Sequence, residues 1–122
     1  MKRILVVDDE DELAEQLGES LKEDGYEVVV AHDGEEGLRK VQITKPNLII
    51  LDVMMPKMDG AEMYANLQSN KKTKDIPVIF LTALKTQVDD FLLGRDVGNY
   101  TIFSKPFDND ELLGTIREMT SS

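Results

Sequence analysis

The sequence has no cysteine, no tryptophan and a single histidine, His32, among 122 residues. Absent cysteine excludes disulfides and thiolate metal centres. The lone histidine falls in the loop after the second predicted strand, which favours a solvated or locally bonded role over catalysis. Long apolar runs are missing too: none approaches the roughly 20 residues needed to span a bilayer. Met1-Lys2-Arg3 leads into only four apolar residues before two aspartates, too short for a signal-peptide core. A cytoplasmic location is therefore expected. Cations are scarce, 14 Lys and Arg against 24 Asp and Glu, for a formal net charge of −10. That balance argues against direct nucleic acid binding, which needs clustered Lys and Arg, and against an anionic membrane surface.

What is present fits one globular unit. Hydrophobic residues make up 41% and charged residues 31%, and the length suits a single compact domain over residues 1–122. Apolar runs alternate with amphipathic stretches. Ile4-Leu5-Val6-Val7 has no period-2 polarity, as expected for a strand buried on both faces. Asp9 and Glu12 have the spacing of a capping box, Leu13, Leu17 and Leu21 recur at helical spacing, and Gly25 closes that helix. Glu27–Ala31 gives a second strand, then a helix opens near Gly34 and breaks at Lys45-Pro46-Asn47. Leu48–Leu51 is the most apolar strand and ends at Asp52; a third helix carries Met63 and Leu67. Ile76–Leu81 is the fourth strand, Val88, Phe91 and Leu92 mark a fourth helix, and Thr101–Phe103 is a weaker fifth strand. Leu112, Leu113, Ile116 and Met119 stripe a closing helix. The pattern predicts an α/β fold: one doubly wound (βα)5 domain with a five-stranded parallel sheet. In such sheets the site lies outside the carboxyl ends of the strands.

At those ends stand Asp8 and Asp9, Asp52, Thr82, and Lys105-Pro106. Converging carboxylates repel one another, so one must protonate or a cation must enter. Hard oxygen donors suit Mg²⁺, which usually takes one or two carboxylates plus a phosphate. With Lys105 adding charge, Asp52 could act as a nucleophile toward phosphorus. Taken singly, each residue has a plainer reading. Asp9 is a helix N-cap, Asp8 part of a turn, Asp52 a strand terminator, Thr82 a cap, and Lys105 a surface lysine. Together, at the ends of four strands on one edge, they outweigh those readings. Met54, Met55, Met58 and Met63 read as gap-filling hydrophobes, and the Glu10-Asp11-Glu12 run as acid favouring the positive end of a helix.

These residues resemble the receiver domain of two-component response regulators. The match runs through Ile4–Asp9, Asp52-Val53-Met54-Met55-Pro56 with Asp59-Gly60, Leu81-Thr82-Ala83 and Lys105-Pro106-Phe107, over essentially the whole chain. The resemblance implies a flavodoxin-like sheet and a phosphorylation-activated switch rather than an enzyme with an external substrate. Asp52 would be the phosphoacceptor, supplied by a sensor histidine kinase or a phosphotransfer protein. Asp9 would bind Mg²⁺ directly, Asp8 mainly through water, with Asp52 and the backbone carbonyl of Met54 as further ligands. Lys105 would contact the phosphoryl oxygens, Thr82 would swing to bond one of them, and the bond before Pro106 is usually cis in this family. Output would leave through the face of the fourth helix, fifth strand and fifth helix, toward a downstream protein or a fused effector domain.

Three positions are informative. The family commonly has an aromatic residue three before the lysine; here it is Ile102, with Tyr100 and Phe103 nearby. Either Tyr100 takes over that role, or switching depends more on Thr82 and the loop after the fourth strand; the second is favoured. Met54 and Leu84, two past Asp52 and Thr82, cannot orient an attacking water, which predicts slow loss of the phosphoryl group. Three rivals are disfavoured by the same residues. A haloacid-dehalogenase-type phosphohydrolase needs an acid where Met54 stands, and a cap. An FMN binder would be repelled by Asp8-Asp9-Glu10. A phosphorylation-independent interaction module has no use for the full pocket.

Overall fold

The computed structural model describes residues 1–53, 55, 58–82 and 100–121. Five strands form one all-parallel sheet: β1 (Arg3–Val7), β2 (Glu27–Ala31), β3 (Leu48–Asp52), β4 (Val78–Thr82) and β5 (Tyr100–Ser104), in the order β2-β1-β3-β4-β5. The helices are α1 (Asp11–Glu23), α2 (Gly34–Thr44), α3 (Gly60–Gln68) and a closing helix (Asn109–Thr120). The expected fourth helix, with Val88, Phe91 and Leu92, lies outside the described residues.

Double burial explains the unalternating strands. Leu5, Val7, Ile49, Leu51, Val78 and Phe80 face a core closed by Val41 of α2 and Met63, Tyr64 and Leu67 of α3. Ile4, Val6, Leu48, Ile50, Ile79 and Leu81 face the other core, closed by Ala14, Leu17 and Leu21 of α1 and Leu112 and Ile116 of the closing helix. β3 and β4 are buried along their whole length, β5 only partly, as suits an edge strand. β4 begins two residues later than expected. Pro77 has no N–H for the ladder and contributes only its carbonyl, which accepts from Ile49 N at 3.0 Å.

Three of the four described helices start alike. Asp33, Asp59 and Asp108 each accept a bond from the backbone N–H three residues on, at 2.8, 2.8 and 3.1 Å. The first helix does not. The expected Asp9–Glu12 capping box is not formed: the N-cap is Glu10, without a side-chain cap bond. Instead Glu10 N donates to Asp8 Oδ1 at 2.9 Å, a turn that holds Asp8 at the strand end. At the C-termini, Gly25 takes φ 96° after α1 and Lys45 φ 49° after α2, the left-handed backbone that stops a helix.

Contacts distant in sequence fasten the closing helix to the first half. Arg117 makes a two-pronged pair with Asp24 at 2.9 and 2.7 Å, which holds the Asp24 carboxyl below its ordinary range. Thr120 Oγ1 donates to Ile116 O at 2.8 Å and therefore accepts from Tyr26 OH at 3.0 Å. Tyr26→Phe is expected to cost about 1 kcal/mol, the net worth of one such bond, seen as a lower urea midpoint at unchanged slope.

Candidate functional site

Register alone brings two carboxylates together. Val7 pairs with Leu51 across β1 and β3, so the next residues along, Asp8 and Asp52, emerge side by side where the strand order reverses. Both are buried, 2% and 4% exposed, which rules out two simply solvated surface acids. Lys105 arrives from the other side. Its N–H donates to Thr82 O at 2.8 Å, continuing the β4–β5 pairing one step past Thr82 and Ser104. The Lys105–Pro106 bond is cis.

The Lys105 ammonium lies among three carboxylates: Glu10 at 3.1 Å, Asp8 at 3.3 Å and Asp52 at 3.5 Å. Oxygens of Asp8, Glu10 and Asp52 all lie within 4.8 Å of one another. Burial pushes the Asp8 carboxyl above its ordinary range, against the Glu10 N–H and Lys105, which favour the charged form. Burial pulls the Lys105 ammonium down, but Asp52, Asp8 and Glu10 outweigh it and the net direction is up. Among the described residues, one cation thus faces three anions, a deficit that a hard divalent cation would fill.

Of the residues singled out from sequence, Asp8, Asp52, Thr82 and Lys105 converge at this edge, with Thr82 fully buried at the end of β4. Asp9 is exposed and stands outside the three-carboxylate group. Met54, Pro56 and Leu84 lie outside the described residues. Ile102 sits opposite Phe80, two residue pairs below Thr82 and Ser104 and so on the same face. Glu10, which the sequence marks only as helix-favouring acid, joins Asp8 and Asp52 around Lys105. His32 is exposed and locally bonded, its Nδ1 2.9 Å from Asp11 Oδ1.

Gly60 packs against the main chain at the end of β3. A Cβ there would press on the main-chain oxygen of Asp52 and lie 2.9 Å from Val53 Cα, and Gly60 N donates to Val53 O at 3.0 Å. The Asp59-Gly60 pair thus caps α3 and seats its first turn directly against the end of β3.

The family model for the response regulator receiver domain matches residues 4–117. The chain belongs to this family. Receiver domains are phosphorylation-activated switches, regulatory rather than metabolic in role. A probable transcriptional regulator, ycf27, of Cyanophora paradoxa is 48% identical over 118 residues, 97% of this chain and 48% of the relative. The alkaline phosphatase synthesis transcriptional regulatory protein PhoP of Bacillus subtilis is 41% identical over 116 residues, 95% of this chain and 47% of the relative. The chain therefore spans about half the length of the curated relatives it matches. Among solved structures, the response regulator TrrA of Thermotoga maritima in complex with Mg²⁺–BeF superposes with a TM-score of 0.80 at 39% identity, covering 98% of this chain and 99% of that one. The receiver domain of the Francisella response regulator 1452 gives 0.85 at 30% identity, with 98% and 97% covered. Among the described residues of this receiver domain, no helix is long and apolar enough to cross a membrane.

Proposed function

We propose that residues 1–122 form a cytoplasmic receiver in which Asp52 accepts a phosphoryl group from the phosphohistidine of a sensor histidine kinase or phosphotransfer protein. The observation that supports this most directly is the ammonium of Lys105 held 3.5 Å from a buried Asp52 at the end of β3. A carboxylate oxygen of Asp52 attacks phosphorus, the P–O bond forms as the P–N bond breaks, and the imidazole leaves with the electron pair. Lys105 follows the charge onto the phosphoryl oxygens, and the Thr82 hydroxyl turns to bond one of them. Later attack by water on phosphorus returns the Asp52 carboxylate and inorganic phosphate. The domain's catalysis is confined to itself.

The donor set fits Mg²⁺: all hard oxygens, buried on two sides, short of positive charge. Asp52 and Asp9 would hold it directly, with Asp8 mainly through water and the Met54 carbonyl as a further ligand, as in the family. When bound, the cation supplies neutralisation of the phosphoryl oxygens.

Output is assigned to Thr82 and the loop after β4 rather than to an inward-turning ring. Tyr100 pairs with Val78 at the opposite end of β5 from Ser104 and Thr82. Its ring packs edge-on against Tyr64 and Phe80, with centroids 5.8 and 5.7 Å away. The recipient is a downstream protein or an effector domain in the same polypeptide, as the transcriptional relatives suggest.

Incubation with acetyl phosphate and Mg²⁺, read by intact mass, tests the acceptor. Asp52→Asn is expected to lower labelling at least about 100-fold, and chelation should abolish it in the wild type. Equal labelling of both proteins would overturn the assignment.

A further inference from the structure

We infer that Glu10 is a latch on Lys105, holding the ammonium toward the open rim of the pocket until a phosphoryl group draws it inward. The inference rests on the phosphoacceptor reading of Asp52 and concerns a residue outside that reading.

The first step is the odd start of α1. At α2, α3 and the closing helix an aspartate caps the backbone, whereas at α1 the same position holds Glu10 and its carboxylate makes no cap bond. One methylene longer than aspartate, glutamate is a poorer N-cap. Its main chain is nonetheless fixed, because Glu10 N is bonded to Asp8 Oδ1. The side chain is thereby anchored at its base and extended from the helix start over the pocket mouth.

There it meets Lys105. Glu10 Oε1 lies 3.1 Å from Nζ, nearer than either buried carboxylate, yet the Glu10 side chain is 63% exposed against 6% for Asp52. The difference in exposure decides which partner gives way. An exposed carboxylate regains water when it lets go of the lysine, so release costs little. Once Asp52 carries a phosphoryl group, the negative charge on the buried side grows, and Lys105 moves toward it. Glu10 is a positioning residue: it acts through Lys105 and need not touch the phosphoryl group.

Holding Lys105 in the resting state and releasing it during transfer raises the barrier by the strength of the held contact. An exposed pair of this kind is worth up to about 1 kcal/mol, or roughly a fivefold rate change. Acetyl-phosphate labelling of Glu10→Gln should therefore run about two- to fivefold faster than wild type at saturating Mg²⁺. In a Lys105→Met background the same substitution should have no effect. A second readout needs no phosphorylation: the side-chain NMR resonances of Lys105 at fixed pH should shift in Glu10→Gln and stay put in Glu12→Gln, which removes an exposed acid outside the group.

Slower labelling in Glu10→Gln would make Glu10 a direct aid to the reaction and end the latch. Equal acceleration with and without Lys105 would show general charge relief and end it too. If the wild type and Asp52→Asn label alike, the acceptor assignment fails and takes the latch with it; an unmoved Lys105 resonance while labelling still depends on Asp52 refutes the latch alone.

Discussion

Gly60→Ala should destabilise the domain by about 3 kcal/mol and lower Asp52 labelling with it, although the substitution lies in a helix, where alanine normally gains. Replacing glycine with alanine in a helix interior contributes up to about 1 kcal/mol in favour of folding. Here the new methyl would meet the main-chain oxygen of Asp52 and the Cα of Val53 at 2.9 Å. Neither is the end of a flexible side chain. Both belong to the chain leaving a strand that is buried throughout, and Gly60 N is bonded to Val53 O in the same place. Relief requires α3 to move off β3, lifting Met63, Tyr64 and Leu67 from the core. Overpacking of this kind costs about 1–3 kcal/mol, at the upper end where backbone must shift. The check is a urea melt beside the labelling assay. A variant as stable as wild type, labelling at the same rate, would show that α3 is not seated against the acceptor.

Much of the fold was legible because burial on both faces writes itself as unbroken apolar runs. Leu48–Asp52 and Glu27–Ala31 fall where the pattern placed them. The errors have local causes. At α1 the Asp9–Glu12 spacing matches a capping box, but Asp8 takes the Glu10 N–H and pushes the helix start to Asp11. Ala14 rather than Leu13 lies fully buried under α1. Helical spacing marks a stripe, and the close approach of helix to sheet selects the small residue within it.

The site was legible to the extent that strand ends define it. Asp8, Asp52, Thr82 and Lys105 are each the last residue of a strand or the first one or two beyond, so topology alone brings them to one edge. Glu10 was missed because its partner is 95 residues away. No local pattern reports that distance, and an acid at a helix start has a sufficient local explanation in the helix dipole. The available signal was chemical: a glutamate where the other helices carry a capping aspartate. Asp9 shows the converse. Its resemblance to a family ligand is strong, yet among the described residues it stands exposed beside the group rather than within it.

Asp8→Asn should make the metal-free protein more stable at pH 7 by about 1–2 kcal/mol and weaken Mg²⁺ binding by roughly 10–100-fold. Relieving a buried charge cluster with a neutral residue of similar shape is often stabilising by such amounts, and loss of a group that orients metal-bound water costs affinity in that range. The asparagine oxygen can still accept from Glu10 N, so the turn into α1 is kept. What disappears is one of three crowded anions, while Lys105 retains Glu10 and Asp52 as partners. The pH dependence has a definite sign. Burial holds the Asp8 carboxyl above its ordinary range, so the folded protein binds that proton more tightly than the unfolded chain. Ionising Asp8 therefore costs stability as pH rises through and above that range. The gap between variant and wild type should be fully open at pH 7 and close as pH falls below the ordinary carboxylate range. Adding Mg²⁺ should reverse the order at neutral pH, because the cation stabilises only the protein that binds it well. Thermal melts of both proteins, with chelator and with Mg²⁺, at pH 7 and at pH 3.5, measure all of this. A wild type more stable than Asp8→Asn in chelator at pH 7 would mean that Lys105 alone satisfies the pocket, and that no metal is needed to balance it.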